Sequence, residues 1–201
     1  MVESGPGAGR VVVLTVGHGV RPIEDFVDLL RAAGVRRLVD VRTAPGSRRN
    51  PQFGRDALER ALGAAGIDYV WRRELGGFRR PAPDSPNVAI QTKAFRGYAD
   101  HMATQEFRDA LRWLIETSRG TPTAIMCAES LWWRCHRRMI ADALVVEGCG
   151  VVHLVPGGRR EPHRLHPNLR IAQGRLVYDV IEGQVPLPIP QGSVPRPRHG
   201  A

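Results

Sequence analysis

The sequence predicts an α/β domain built on a mostly parallel sheet with helices on both faces. The chain has 201 residues, which is long enough for one domain with a substantial core. Short β-branched runs alternate with helical patterns, and short links join them, as in sheets with right-handed crossovers. Apolar residues make up 42% of the chain and charged residues 24%, the balance of a globular protein.

The first half of the chain contains three predicted strands and two predicted helices. The strands are β-branched, apolar runs over residues 11–19, 35–43 and 67–72. The helices have apolar side chains at helical spacing over residues 21–34 and 55–66. Each helix ends at a glycine, which favours a helix stop. The region 75–93 is rich in glycine and proline, and we expect a long functional loop there.

The second half continues the alternation. Residues 94–120 have the pattern of two helical pieces, with Thr104 placed to cap the second. Further strands are predicted over residues 121–129 and 150–155, and a helix between them over residues 131–148. Residues 163–179 are typical of a short hairpin that turns at Gln173-Gly174.

The domain is expected to span residues 11–182. Residues 1–10 are expected to be a disordered lead-in, and residues 183–201 a proline-rich disordered tail. The first residues lack the basic and apolar regions of a signal peptide, and no apolar run approaches the length that spans a bilayer. We therefore expect a cytoplasmic protein without a membrane partner. The sequence leaves its oligomeric state open.

The net charge of +9 favours anionic partners, either an anionic small molecule or a nucleic acid. A second explanation is compositional. Almost all of the positive charge is arginine, and alanine, glycine and proline are abundant, as in proteins from GC-rich genomes.

The stretch MCAESLWWRCHRR, residues 126–138, gathers two of the three cysteines with acidic and basic side chains. It lies where a predicted strand passes into a predicted helix. A reactive thiolate beside an anion site, a metal site, a redox pair and an ordinary helix start all fit this composition. The third cysteine, Cys149, lies between two glycines in a turn and is expected to be structural.

Polar residues follow three of the predicted strands. His18 comes just after the first strand, Asp40 and Arg42 end the second, and Cys127 and Glu129 close the strand 121–129. The carboxyl ends of parallel strands meet at one edge of a sheet, where ligands bind. These side chains are therefore expected to converge on one cleft.

The expected catalytic residues are a thiolate from Cys127 or Cys135 and three groups for proton transfer. Those three groups are His18, Glu129 and His136. Positive charge and a helix N-terminus both lower the pKa of a thiol, which favours a nucleophile at Cys135. Alternatively, Cys135 packs in the core, His18 caps a helix, and Glu129 is an ion-paired cap.

Four residues are expected to position the anion: Asp40, Arg42, Arg134 and Arg137. Asp40 and Arg42 alternate with valines, so that both face one side, as an anion clamp or as a structural salt bridge. Cys127 and Arg134 are separated by six residues, one more than in the phosphate loops of cysteine phosphatases and rhodanese-like proteins.

No cofactor is predicted, and a bound metal ion is an alternative. Its ligands would be Cys127, Glu129, Cys135 and His136, with His18. Their spacing is not the paired pattern that predicts zinc. Trp132 and Trp133 offer a ring for stacking on a base, or pack in the core.

Five stretches of the chain resemble the family catalogued as domain of unknown function 488. In chain order they are TVGHG, IEDFVDLLRAAGVRRLVDVRTAPGSR, YVWRRELGG, YADHMATQEFRDAL and MCAESLWWRCHRRMIADAL. The resemblance covers roughly residues 12–155 and implies a compact α/β domain with these motifs in one cleft. It adds Gly76, Gly77 and Tyr98 to the expected substrate-binding residues. It implies no particular reaction, and the SLWW stretch departs from the family, where this segment is usually polar with a proline.

Together these observations favour an enzyme with a cysteine- and arginine-lined cleft for a phosphate-bearing substrate, such as a nucleotide or nucleic acid. A non-catalytic nucleic-acid-binding protein and a metal-dependent enzyme are the alternatives.

Overall fold

A computed structural model describes residues 10–46 and 48–180 of the chain. Of the expected lead-in only Arg10 is among the described residues, and the expected tail over 183–201 lies wholly outside them. The described residues form a six-stranded, mostly parallel sheet with helices on both faces and a separate two-stranded hairpin. The predicted α/β fold class is therefore confirmed.

The sheet has the strand order β3-β2-β4-β1-β5-β6. Its strands are β1 Val12–Gly17, β2 Arg37–Asp40, β3 Asp68–Trp71, β4 Thr123–Cys127, β5 Gly150–Leu154 and β6 Arg160–Pro162. The first five are parallel, and β6 pairs antiparallel with β5. β1 and β4 lie at the centre, where both faces of each strand are covered, which explains their apolar sequences.

Five α-helices cover the two faces. They are α1 Ile23–Ala32, α2 Arg55–Ala64, α3 Lys93–Met102, α4 Gln105–Gly120 and α5 Arg137–Val146. The apolar stripes of α1 and α2, with Phe26 and Leu58, form one core cluster against the sheet. Those of α3, α4 and α5 form the other, with Phe107 and Ile140. As predicted, Thr104 caps α4, since its hydroxyl accepts the Phe107 N–H.

The predicted hairpin consists of β7 Leu169–Ala172 and β8 Arg175–Tyr178. Its turn residues Gln173 and Gly174 have φ values of 49° and 73°, as a two-residue hairpin turn requires.

Two local features differ from the predictions. β6 was not predicted, because it has only three residues and carries no alternating apolar pattern. The predicted helix over 131–148 begins later, as a 3-10 turn at Trp132–Arg134 followed by α5. The backbone of Cys135 is extended between them, with φ −132° and ψ 150°, which interrupts the helix.

The central strands β1 and β4 form the topological switch point. The chain passes from β1 into α1 on one face of the sheet, and from β4 into α5 on the other face. The two connections therefore leave the sheet on opposite faces and open a crevice at the carboxyl ends of these strands. His18 follows β1 and Cys127 ends β4, so both lie at this crevice.

Candidate functional site

A cleft of about 820 Å³ opens at this switch point. Nine of the twelve predicted site residues line it: His18, Arg42, Gly77, Tyr98, Cys127, Glu129, Arg134, Cys135 and His136. Asp40, Gly76 and Arg137 lie just behind its wall and are not among the lining residues. The expected convergence of distant chain segments is therefore present, and the chemical roles assigned to these residues remain predictions.

The two cysteines face each other at the base of the cleft. Cys127 is the last residue of β4, and the extended backbone of Cys135 turns its sulfur back towards that strand. Their Sγ atoms lie 2.7 Å apart, and the two residues are only 3% and 6% exposed. The sulfurs form a single unit that shares its protons.

Arg137 lies directly behind this pair and is 1% exposed. Its Nε donates to Cys127 Sγ at 3.0 Å, and its backbone N–H, in the first turn of α5, lies 3.5 Å from Cys135 Sγ. The other guanidinium nitrogens donate to the hydroxyl of Thr15 and the carbonyl of Glu129. Within residues 10–46 and 48–180, Arg137 has no ion pair with a carboxylate. Its charge is therefore available to balance a thiolate.

The electrostatics place that thiolate mainly on Cys135. Burial raises the pKa of this thiol, but the hydrogen bond from Cys127 and the charge of Arg137 outweigh burial and lower the pKa to about 6. Burial and the neighbouring sulfur raise the pKa of Cys127 well above its ordinary value. At neutral pH the pair therefore carries one negative charge, with the remaining proton on Cys127.

His136 stands beside the sulfurs as a neutral imidazole. Its Nε2 donates to the Val41 carbonyl at 3.0 Å, so the free lone pair is on Nδ1, which lies 3.6 Å from Cys135 Sγ. Burial lowers the pKa of His136, which keeps the ring uncharged. A Cβ atom on Gly77 would lie 2.9 Å from this Nδ1, so glycine is needed for the close approach of the loop.

Tyr98 and Gly76 support the same wall of the cleft. Tyr98 is fully buried and its hydroxyl donates to the Leu75 carbonyl at 2.9 Å. Its ring centroid lies 5.2 Å from that of His136. A Cβ atom on Gly76 would lie 2.8 Å from Thr43 Oγ1, so Gly76 fits the loop against the end of β2. Tyr98 reaches the cleft, whereas Gly76 acts through packing.

Asp40 and Arg42 form a buried, bidentate ion pair. Arg42 Nε lies 2.9 Å from Oδ1 and its NH2 2.5 Å from Oδ2 of Asp40. Asp40 is fully buried and also accepts from the Tyr69 hydroxyl at 2.8 Å. Arg42 donates to the Phe53 carbonyl at 2.9 Å. This geometry is that of a structural salt bridge, the alternative to an anion clamp, with Arg42 reaching the cleft wall.

His18 is held next to Arg42 as a second neutral imidazole. Its Nδ1 donates to the Gly19 carbonyl at 2.8 Å, and its Nε2 faces Arg42 NH1 at 3.4 Å. The ring stacks on Phe53 at 4.1 Å. Burial, opposed by the Gly19 hydrogen bond, lowers the pKa of His18 to about 4. His18 therefore presents an uncharged edge to the cleft.

The segment between the two cysteines forms the outer wall. The Glu129 carboxylate accepts the Leu131 N–H at 3.2 Å, while the Arg134 N–H bonds back to the Leu131 carbonyl. The side chains of Glu129 and Arg134 are exposed at the mouth. Gly17 allows this segment to pass close to β1, since a Cβ there would overlap the Glu129 carbonyl oxygen.

Among the lining residues that were not predicted individually, three have charged or aromatic side chains: Arg49, Phe78 and Phe95. Arg49 is exposed at the mouth. Phe78 is 91% exposed with φ 58°, a backbone conformation that side chains other than glycine rarely adopt. It directly follows the pair Gly76-Gly77, and this glycine pair was the sequence feature that could have indicated a lining residue here.

The two tryptophans and Cys149 do not line the cleft. Trp132 is half-buried and stacks on His153, whereas Trp133 is 46% exposed. Cys149 is 2% exposed in the core, consistent with the structural role expected for it.

The described residues contain no group of three or more His, Cys, Asp or Glu side chains placed to hold a metal ion. Among the same residues, no helix has the length and apolar character needed to cross a membrane.

Comparison with known proteins supports the resemblance seen in the motifs. The model of the family described as "Domain of unknown function DUF488" matches residues 22–144, which include α1 to α4 and most of α5. The matched range holds every predicted site residue except His18. Neither a curated protein nor a solved structure matches the sequence. With well over half of its length matched, the chain belongs to the DUF488 family.

Proposed function

We propose that this protein is an enzyme that uses the Cys127–Cys135 pair as a nucleophile on a phosphate-bearing substrate bound in the cleft. The observation that carries the proposal is the environment of Arg137. This guanidinium is buried without a carboxylate partner in the described part of the chain, and its Nε lies 3.0 Å from Cys127 Sγ. A buried charge needs a counter-charge, and a thiolate in the adjacent pair supplies it.

The substrate class follows from the mouth of the cleft. Arg49 and Arg134 are exposed there and line the cavity, so an anion entering it meets two guanidinium groups. Deeper in the cleft the wall includes the aromatic rings of Phe95 and Tyr98, suited to an organic portion of the substrate. A nucleotide or a nucleic-acid end combines these two properties.

In the proposed step, Cys135 Sγ supplies the electron pair of a new bond to the electrophilic centre of the substrate. Cys135 is already ionised at neutral pH, so no base is needed to form the nucleophile, and the neutral His136 Nδ1, 3.6 Å from the sulfur, is placed to accept a proton from the water that hydrolyses the adduct. The leaving group departs with the electron pair of the bond that breaks and takes a proton from water in the cleft. Hydrolysis of the thiol adduct by water then restores the sulfur.

The test is a turnover assay after a screen of nucleotides, oligonucleotides and simple phosphate esters. We expect Cys135→Ser to abolish turnover and Cys127→Ser to reduce it strongly, because each variant breaks the shared thiolate. Cys149→Ser is the matched control, since this third buried cysteine lies outside the cleft, and it should keep full activity. Full activity in both Cys127→Ser and Cys135→Ser would overturn the thiol mechanism.

The second candidate function is non-catalytic binding of a nucleic acid. The exposed arginines at the mouth and the net charge of +9 favour it. Affinity would then fall steeply with salt. Arg49→Ala and Arg134→Ala would each remove one phosphate-binding group and lower the log–log slope by about 0.7 to 0.9. Affinity that does not change with salt would exclude this candidate.

A further inference from the structure

Behind Arg137, on the side away from the cleft, four buried polar side chains follow one another. Thr15 lies in β1 and His153 in β5, and the two residues are register partners in these neighbouring strands. Asp142 lies in α5, and His163 follows β6 directly. All four side chains are fully buried. We call Thr15, His153, His163 and Asp142 the histidine chain.

The hydrogen bonds of the histidine chain run in one direction. Arg137 NH1 donates to Thr15 Oγ1 at 3.4 Å, and the Thr15 hydroxyl donates to His153 Nδ1 at 2.6 Å. His153 Nε2 then donates to His163 Nδ1, and His163 Nε2 to Asp142 Oδ1, both at 2.9 Å. Burial lowers the pKa of His153 to about 3, so this imidazole is neutral, and in this arrangement every link joins one donor to one acceptor.

The groups at the two ends of the histidine chain, Arg137 and Asp142, carry opposite charge. Asp142 accepts two more hydrogen bonds, from the His166 N–H at 2.9 Å and from the Tyr178 hydroxyl at 3.0 Å. Within the described residues it has no arginine or lysine partner. The hydrogen bonds therefore connect the guanidinium at one end to the carboxylate at the other, and aligned hydrogen bonds polarise one another.

Trp132 covers the histidine chain on the side that faces the solvent. Its ring is stacked on His153 with a centroid distance of 4.0 Å and an interplanar angle of 4°. Its Nε1 donates to Glu161 at 3.2 Å, which fixes the ring in place. The ring also lies edge-on to His163 at 5.5 Å, so Trp132, from the SLWW stretch, covers both histidines.

We propose that the histidine chain positions Arg137, so that its Nε stays aimed at Cys127 and its charge stays next to the thiolate. The four residues touch neither sulfur, so they act through Arg137. The inference rests on the proposed function, because it assigns these residues to the thiolate that the function requires.

Other charged and titratable groups face the sulfurs from the surrounding elements. They are His136, just before α5, and Tyr98 from α3, and Arg79 from the loop after β3 acts on these two groups. None of them has a hydrogen bond to the histidine chain. A change in thiol ionisation on breaking the chain therefore reports on Arg137.

The experiment compares Thr15→Val with Thr15→Ser in a Cys149→Ser background. Valine keeps the shape of threonine but removes the link between Arg137 and His153, whereas serine keeps the hydroxyl. The readout is the thiolate ultraviolet absorbance and the iodoacetamide alkylation rate against pH, neither of which needs a substrate. Thr123→Val is the matched control, because this buried β4 hydroxyl donates only to the Thr121 carbonyl.

We expect Thr15→Val to raise the thiol pKa from about 6 by about one unit, so that alkylation at pH 6 slows about fivefold. Thr15→Ser and Thr123→Val should follow the profile of the parent. Asp142→Asn, which removes the terminal charge, is the second variant if Thr15→Val does not fold, and should shift the profile in the same direction.

A Thr15→Val profile that superimposes on that of the parent would overturn the proposal. This holds even if the variant unfolds at a lower temperature, because the histidine chain would then contribute to stability alone. The parent curve separates this result from failure of the proposed function. A parent thiol that ionises near its ordinary pKa would overturn both, whereas a lowered parent pKa with unshifted variants overturns only the positioning role.

Discussion

Arg42 and Arg137 are two buried arginines, the first in the wall of the cleft and the second behind it, and they differ in their partners. Arg42 is 7% exposed and forms a bidentate ion pair with Asp40. Arg137 is 1% exposed and contacts a sulfur, a hydroxyl and a carbonyl. The charge of Arg42 is thus neutralised within the fold, whereas Arg137 has no carboxylate partner in the described part of the chain and faces the cysteine pair instead.

The histidine beside each arginine extends the comparison. His18 accepts from Arg42 directly, while His153 is linked to Arg137 through Thr15. Both imidazoles are neutral, so neither adds a charge that competes with its arginine. The difference teaches that a buried ion pair and a buried cation without a carboxylate occur in one cleft for different purposes: the first holds the loop after β2, and the second stabilises an anion.

The largest expected effect is that of Arg42→Met on stability. The substitution leaves the Asp40 carboxylate buried without its cation, and we expect a loss of about 3–5 kcal/mol in the free energy of unfolding, measured with urea. Thiol ionisation should not change, because Arg42 does not contact the sulfurs. The double variant Asp40→Leu with Arg42→Met should recover much of the loss. A loss below about 1 kcal/mol in the single variant would contradict the role of Arg42.

The next effect is the dependence of stability on pH. Burial lowers the pKa of His18 to about 4 and that of His153 to about 3, from an ordinary value of 6.5. The unfolded chain therefore binds more protons between pH 6.5 and 4. The stability that the two neutral histidines contribute is fully present above pH 6.5 and is lost as the pH falls from 6.5 towards 4.

Two histidines together give a slope of up to about 2.7 kcal/mol per pH unit near pH 5. Urea unfolding at a series of pH values measures it. His153→Asn should lower the slope by up to about 1.4 kcal/mol per pH unit, since it removes one titrating group. An unchanged slope in this variant would show that His153 titrates normally in the folded protein.

The smallest of the three effects on stability is that of Arg137→Met. The main effect of this substitution should be on the ionisation of the cysteine pair. No carboxylate loses its partner, so we expect a smaller destabilisation than in Arg42→Met. The thiol pKa should rise by at least one unit, about 1.4 kcal/mol, because the thiolate loses its cation. Alkylation of a Cys149→Ser background against pH measures the shift. Arg137→Lys is the control, and its retained charge should preserve part of the low pKa.

The sequence predicted the fold well where periodicity was strong. The parallel strands and all five helices are regular patterns of apolar residues, so their order and approximate ends could be predicted. β6 has no such pattern, because Arg160–Pro162 is a short edge strand. The start of α5 was missed because the extended backbone of Cys135 goes with the contact of its sulfur with Cys127 at the end of β4, which leaves no periodic signal in the sequence.

The convergence at the cleft was predictable because the carboxyl ends of parallel strands meet. The position of Arg137 behind the sulfurs was not predictable, because it depends on where α5 starts, and that start was itself not predicted. The histidine chain was also not predicted. Thr15, Asp142 and His153 each stand alone in an apolar run, where one polar residue carries no periodic signal. Only the register of β1 with β5 joins them.

The central strand β1 sets the register of two neighbouring strands at once. On one side it pairs with β4 so that Gly17 lies opposite Cys127, and on the other it pairs with β5 so that Thr15 lies opposite His153. Inserting or deleting a single residue within Val12–Gly17 would turn Thr15 to the opposite face of the sheet. The same shift in strand register would move Gly17 away from the segment that follows Cys127. Length changes in this strand should therefore be far less tolerated than substitutions, because both partners of β1 would fall out of alignment together.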